Sequence, residues 1–169
     1  MRLRESAVTG KAAIKSVKAD APIEEHQGFL REASTMAQFE HNNVIRLHGM
    51  ILVNDNTSTW MCIEFMAGGD LKNFLEKARP LGWPHQDTTS KLKILDMLQI
   101  SIDLAKGLEY LSTLDFVHRD IAARNCLISN TDFDSTDRIT KIADFGLSRQ
   151  TEDDSNYYRM DSRGLGLVK

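Results

Sequence analysis

The chain has 169 residues, 41% of them hydrophobic and 27% charged, enough to bury a substantial core in one or two domains. Its 24 acidic and 21 basic residues leave a net charge of -3, and no basic cluster marks a surface for nucleic acid or anionic lipid. Met1 to Ser6 lack the apolar stretch of a signal peptide, and no segment approaches the roughly 18 apolar residues of a membrane-spanning helix. Cys62 and Cys126 sit in apolar runs with neither a CxxC nor a metal-ligand spacing, so they read as reduced core cysteines.

Residues 11–19 read as a strand, with Ala13, Lys15 and Val17 on one face and Ala12, Ile14 and Ser16 on the other. Pro22 introduces a predicted helix from Ile23 to Ala37, with Glu24 and Glu25 in the first turn, where the helix dipole favours negative charge. Phe29, Ala33, Met36 and Ala37 form its apolar stripe, and Glu32 stacks one turn from Met36. A polar loop, Glu40-His41-Asn42-Asn43, leads to a strand over Val44–Leu52 broken by Gly49. Asn54-Asp55-Asn56 is turn chemistry, and Thr59–Phe65 is another apolar strand.

Gly68-Gly69 marks a change of regime. Asp70 is placed to cap a short helix over Leu71–Lys77. Residues 78–90, with Pro80 and Pro84, read as a loop. A helix is predicted over Ser90–Leu114, its apolar stripe running through Leu95, Leu98, Ile102, Ala105, Leu108 and Leu111. Ile100 and Leu104 widen that stripe, so the helix is expected to be buried on most sides. Two short strands follow, Cys126–Ile128 and Ile139–Ala143, around a polar excursion at Asn130–Arg138. From Gly146 onward the chain is polar and glycine-containing and reads as mobile.

The chemistry concentrates in His118-Arg119-Asp120-Ile121-Ala122-Ala123-Arg124-Asn125, followed nineteen residues after Asn125 by Asp144-Phe145-Gly146. This spacing puts a carboxylate able to take a hydroxyl proton, a guanidinium able to balance phosphate charge, and two hard oxygen donors for Mg²⁺ on two neighbouring loops. Three residues alone would say little, and a lone Asp120 would read as a turn-capping carboxylate. That bland reading does not account for the histidine and arginine before Asp120 or the asparagine five residues after it.

This run resembles the protein kinases, and Ala122-Ala123-Arg124 between the aspartate and the asparagine points to the tyrosine-specific branch. The resemblance implies an α+β, two-lobed protein-kinase-like fold truncated at both ends. Residues 1–65 would be a partial N-lobe, 66–70 the hinge region, and 71–169 a partial C-lobe with the catalytic and activation loops. It implies transfer of the γ-phosphoryl group of MgATP to protein tyrosine. Asp120 would be the base, Arg124 a neutraliser of local negative charge, and Asn125 and Asp144 the Mg²⁺ ligands. Lys15, in Ala-Ile-Lys, would pair with the ATP phosphates and Glu32 would hold it, although Lys15 alone would read as a solvated strand lysine. Ile63-Glu64-Phe65-Met66 matches the kinase hinge. By that match the Glu64 and Met66 backbone would bond adenine, Ile63 would stand behind it, and Ala13 and Leu127 would sandwich the ring. Met36, Leu47, His118 and Phe145 would stack into the spine joining the lobes, where otherwise they read as plain core. Tyr157 and Tyr158, after Glu152-Asp153-Asp154, would be phosphosites whose added charge orders the loop against Arg119.

Met66-Ala67-Gly68-Gly69-Asp70-Leu71, Lys77-Ala78-Arg79, Asn156-Tyr157-Tyr158-Arg159 and the 129–138 excursion are most similar to receptor tyrosine kinases of the Sevenless/Ros group. Anaplastic lymphoma kinase and the insulin receptor stand nearby. The group implies a membrane-anchored, dimerising parent, with this part on the cytoplasmic side of the plasma membrane and tyrosine-bearing proteins, but no nucleic acid, as partners. No glycine-rich phosphate loop precedes Lys15, and no Ala-Pro-Glu-type motif follows the activation loop. The helices that would cover the 90–114 helix are therefore missing. At roughly 25 cal/mol per Å² its exposure would cost several kcal/mol, against a typical stability of about 5–15 kcal/mol. The chain by itself is thus expected to be aggregation-prone and catalytically inert. The alternative is a non-catalytic, kinase-derived fragment acting as a binding or interfering module. A small-molecule phosphotransferase is disfavoured by Ala122-Ala123-Arg124 and the tyrosine-bearing loop.

Overall fold

A computed structural model describes residues 10–53, 58–78 and 92–150. The Asn54-Asp55-Asn56 turn, the proline-containing loop and the Tyr157-Tyr158 segment lie outside those residues. Strand β1 (Ala12–Ser16) is followed by helix α1 (Ile23–Met36) and strands β2 (Leu47–Val53) and β3 (Ser58–Glu64). The strands form one antiparallel sheet in the order β1-β3-β2. Its register sets Lys15 opposite Met61 and Ala13 opposite Ile63, and Met61 is wholly buried against the α1 core. The other face of the sheet is open, with Ile14 50% and Trp60 38% exposed.

Helix α1 buries Phe29, Glu32, Ala33 and Met36, the stripe its periodicity predicts. The Pro22 carbonyl accepts hydrogen bonds from Glu25 and His26 N–H, so proline serves as the N-cap without a side-chain bond. The strand expected over Val44–Leu52 begins only at Leu47, and a bulge interrupts its pairing between Leu47 and Gly49. Val44 and Ile45 pair elsewhere. Ile45 N–H donates to the Ile142 carbonyl at 2.8 Å and Ile142 N–H to the Asn43 carbonyl at 2.9 Å, stitching the segment after α1 to the far half of the chain.

Beyond the sheet come α2 (Leu71–Ala78) and α3 (Ile94–Thr113), then β4 (Phe116–Val117), a 3-10 turn at Ala123–Asn125, β5 (Cys126–Ile128), β6 (Thr140–Ile142) and β7 (Arg149–Gln150). Asp70 caps α2 as expected, its Oδ1 accepting the Asn73 N–H at 2.8 Å. That bond holds its carboxyl below the usual carboxylate range. Strands β5 and β6 form a hairpin, and β4 pairs with β7. The excursion between β5 and β6 is pinned by the buried Arg138, which pairs with Asp96 at 3.1 Å and lies over the Phe74 ring, itself stacked on Phe133.

Helix α3 corrects the sequence reading. Its buried residues are Ile100, Asp103, Gly107 and Leu111, a single face, while Leu95 is 75%, Leu98 53%, Ile102 47% and Leu108 38% exposed. Apolar residues occupy nearly every side of this helix, so periodicity could not choose among them. Close approach chose instead: a Cβ at Gly107 would lie 2.7 Å from the Asn43 carbonyl, which excludes any larger side chain. Asp103 is satisfied in the same interface, accepting from Thr140 N–H at 2.8 Å and Gln99 Nε2 at 3.0 Å.

Candidate active site

Lys15 reaches from β1 to α1, where Nζ donates to both Glu32 carboxylate oxygens at 2.7 and 2.8 Å. Glu32 is 8% exposed, so the lysine satisfies a carboxylate that would otherwise be buried alone. The same Nζ lies 4.0 Å from Asp144 Oδ1, so residues from three separate stretches meet at one point. Gly146 borders this point, since a Cβ there would sit 3.5 Å from Asp144 Oδ1 and 3.8 Å from Glu32 Oε2.

Asp120 anchors a second cluster. Its Oδ1 accepts from Arg124 Nη2 at 2.7 Å, and its Oδ2 accepts from Asn125 Nδ2 at 2.8 Å. The Arg124 hydrogen bond, with that of Asn125 behind it, holds the Asp120 carboxyl below its ordinary range. The carboxylate is therefore ionised at neutral pH and remains partly exposed. Asn125 Nδ2 also donates to the Asp120 carbonyl at 2.9 Å, which leaves Oδ1 as the acceptor end of the amide. That oxygen and the half-exposed Asp144 carboxylate are hard donors of the kind Mg²⁺ takes. Among the described residues no set of three histidine, cysteine, aspartate or glutamate side chains could hold a metal unaided. A cation here would need further oxygens from outside these side chains.

Ala143 joins the clusters. Its N–H donates to the Asn125 carbonyl at 2.8 Å, and its carbonyl accepts from His118 Nε2 at 3.0 Å. His118 Nδ1 in turn accepts the Asp120 N–H at 3.3 Å, which fixes the neutral Nε2–H tautomer. Burial pushes the His118 pKa down, in keeping with that form. Arg119 and Asp144 have φ of 66° and 62°, in the left-handed region. Such strain costs about 1–3 kcal/mol per residue and concentrates at functional sites. Arg119 is held by its Nε bond to the Leu147 carbonyl at 2.6 Å.

Met36, His118 and Phe145 are buried together with half-buried Leu47 beside them, and the His118 and Phe145 rings meet at 5.0 Å. Glu64 closes β3 and Met66 follows it. Ala13 faces Ile63 across the ladder, and half-buried Leu127 pairs with Lys141 on the opposing hairpin. Sequence reasoning missed two groups. Lys141 pairs with Glu64 at 2.7 Å over 77 residues of separation, and no local signal could announce it. Phe39 packs on Phe116 at 5.0 Å and Phe145 at 4.9 Å. Its signal was available: Phe39 continues the Ala33–Met36 stripe three residues past the helix end.

The family model described as protein tyrosine and serine/threonine kinase matches residues 2–168. The chain belongs to the protein kinase family. Among relatives, this kinase chain is 37% identical over 166 residues to the proto-oncogene tyrosine-protein kinase ROS of Gallus gallus, covering 98% of the chain and 7% of that protein. Identity is 38% over 169 residues with protein sevenless of Drosophila virilis, covering 100% of the chain and 6% of that protein. With the leukocyte tyrosine kinase receptor of Mus musculus it is 38% over 157 residues, covering 93% and 17%. The kinase chain thus spans only a small part of these relatives. It is a tyrosine kinase domain homologous to the receptor tyrosine kinases, with the mixed α+β build of a partial kinase sheet and helices. No helix among its described residues is long and apolar enough to cross a membrane.

Proposed function

We propose that this chain carries the catalytic site of a protein-tyrosine kinase, in which the substrate tyrosine oxygen bonds to the γ-phosphorus of ATP as the β–γ bridging bond breaks and ADP leaves. Phosphoryl transfer asks mainly for positioning and charge neutralisation. Asp120 accepts the tyrosine proton. Its lowered pKa keeps it ionised before transfer, so it can orient the hydroxyl and accept its proton as the new bond forms. Arg124 balances negative charge beside it. Lys15, held by Glu32, pairs with the nucleotide phosphates. Asn125 and Asp144 would hold Mg²⁺, which would supply charge neutralisation for the nucleotide phosphates. Glu64 and Met66 backbone groups orient adenine between Ala13 and Leu127. Residues 1–65 act as a partial N-lobe, 66–70 as the hinge region and 71–169 as a partial C-lobe.

The single observation that supports this reading best is the convergence of Lys15, Glu32 and Asp144, with Lys15 Nζ 2.7 Å from one carboxylate and 4.0 Å from the other. By likeness to its relatives, the parent is a membrane-anchored, dimerising receptor with this domain on the cytoplasmic side of the plasma membrane. Tyr157 and Tyr158 are its phosphosites and Arg119 their partner. The test is transfer of labelled phosphate from ATP to poly(Glu,Tyr) by the full-length protein, its Asp120→Asn variant and an aminoglycoside control. Transfer by the variant at the parental rate, or transfer to the aminoglycoside alone, would refute the assignment.

The exposed apolar side of α3 favours a second reading for the 169-residue chain alone: a non-catalytic binding or interfering module. Turnover by the isolated chain comparable to that of the full-length protein would exclude it.

A further inference from the structure

Helix α1 does not end loosely. Gln38 N–H donates to the Thr35 carbonyl at 3.2 Å and Phe39 N–H to the Met36 carbonyl at 3.1 Å, so tight turns continue the helix as far as Glu40. Glu32 and Glu40 are thus carried on one short, stiff piece of backbone. At Glu40 that piece meets α3. The Glu40 N–H donates to the Tyr110 hydroxyl at 2.8 Å, across 70 residues of sequence. The Tyr110 ring stacks on His41, with centroids 4.8 Å and planes 12° apart, and meets Phe39 edge-to-face at 6.5 Å. His41 is fixed in turn, its Nδ1 accepting the Asn43 N–H at 3.1 Å.

We infer that Tyr110 is a positioning residue for the Lys15–Glu32 pair: its hydroxyl ties the far end of the α1 piece to α3 and so sets where the Glu32 carboxylate stands. The inference rests on the kinase reading above. Glu32 belongs to α1 and Asp144 follows β6, and α3 touches both frames, α1 through Tyr110 and β6 through the Asp103–Thr140 bond. The 4.0 Å approach of Lys15 Nζ to Asp144 is therefore referred to α3. The ring contacts keep the loop against the helix, whereas the hydroxyl is a directional acceptor that fixes its height. The Glu40 N–H is exposed, so water can replace a lost hydroxyl and the fold should lose little. The effect falls on geometry at Glu32 rather than on stability.

The test is steady-state transfer from ATP to poly(Glu,Tyr) by the full-length protein and its Tyr110→Phe, Tyr110→Leu, Ser101→Ala, Glu32→Gln and combined Tyr110→Phe, Glu32→Gln variants, with a thermal midpoint for each. Tyr110→Phe should lower kcat about two- to tenfold, the range of a single hydrogen bond, with KM for poly(Glu,Tyr) and the midpoint near parental values. Tyr110→Leu, which also loses the ring contacts, should lower both kcat and the midpoint. Ser101→Ala removes an exposed hydroxyl bond to the Met97 carbonyl on the same helix and should change neither. On the Glu32→Gln background Tyr110→Phe should add nothing, because the carboxylate it positions is gone. An unchanged kcat in Tyr110→Phe, a midpoint that falls as far as in Tyr110→Leu, or full additivity with Glu32→Gln would each overturn the role and leave the kinase reading in place. A parental protein that transfers no phosphate would fail the kinase reading first, and this inference with it.

Discussion

The rings of Phe39 and Phe145 meet at 4.9 Å, joining the segment after α1 to the residue that follows Asp144. Phe39 also packs edge-on against Phe116 at 5.0 Å and is 5% exposed. Phe39→Ala should destabilise the fold by about 3–5 kcal/mol, the usual cost of deleting a buried phenyl group. Phe39→Leu should cost clearly less. Urea unfolding monitored by fluorescence measures both, and a loss under about 1 kcal/mol for alanine would show that the ring cluster is not a core element.

Lys15 is half-exposed while Glu32 is buried, so their pairing should matter unequally to stability. Lys15→Met in the full-length protein should lower tyrosine phosphorylation by about a hundredfold or more. Removing the lysine also leaves the Glu32 carboxylate buried without its partner, so the thermal midpoint should fall as well. A variant that phosphorylates poly(Glu,Tyr) at the parental rate would remove Lys15 from the phosphate site.

Asp120 owes its lowered pKa first to Arg124. The acid limb that Asp120 sets in the kcat profile should therefore lie below the ordinary carboxylate value. Arg124→Ala should move the limb upward, because the carboxylate loses the donor that favours its charged form. An acid limb that stays put in the variant would mean that another group controls it.

His118 contributes stability with a definite sign. Its folded pKa lies below the ordinary value near 6.5, so on acidification the unfolded chain takes up its proton first. The contribution is fully present above the ordinary value and is lost as pH falls toward the folded one. Urea midpoints at mildly alkaline and mildly acidic pH should show the difference, and His118→Gln should reduce it. An unchanged slope in the variant would place the dependence on other histidines.

Cys126 is buried, and desolvation raises its thiol pKa to about 11. Iodoacetamide at mildly alkaline pH should modify the native chain at the partly exposed Cys62, and both cysteines only in urea. Peptide mass mapping reads the two sites directly. Equal labelling of both in the native chain would show that the β5 region opens readily.

What could be read from the sequence was what repeats at fixed spacing. Asp120, Arg124 and Asn125 share one short turn, so their spacing in the chain largely sets their spacing in space. Lys15 and Glu32 lie on successive elements, and the α1 stripe fixes which face Glu32 takes. The remainder depended on partners far along the chain. Val44 and Ile45 carry every mark of a strand, yet the backbone they pair with is that of Ile142. In α3, burial of Asp103 and Gly107 beside exposed Leu95 and Leu98 reverses the hydropathy order, because close approach to Asn43 and Thr140 selects the face.

The Gly68 anchor has a mechanical meaning. A Cβ there would lie 2.6 Å from the Ile128 carbonyl, so this backbone is pressed against β5, while Glu64 is gripped by Lys141 of β6. Both ends of the connecting strap are thus fastened to the same hairpin. Only Phe65, Met66 and Ala67 lie between those two fastened points, and the Lys15–Asp144 gap is tied to them through β1 and β3. Widening that gap by bending at those residues would first have to break the Lys141–Glu64 pair, so this one ion pair acts as a latch on the opening.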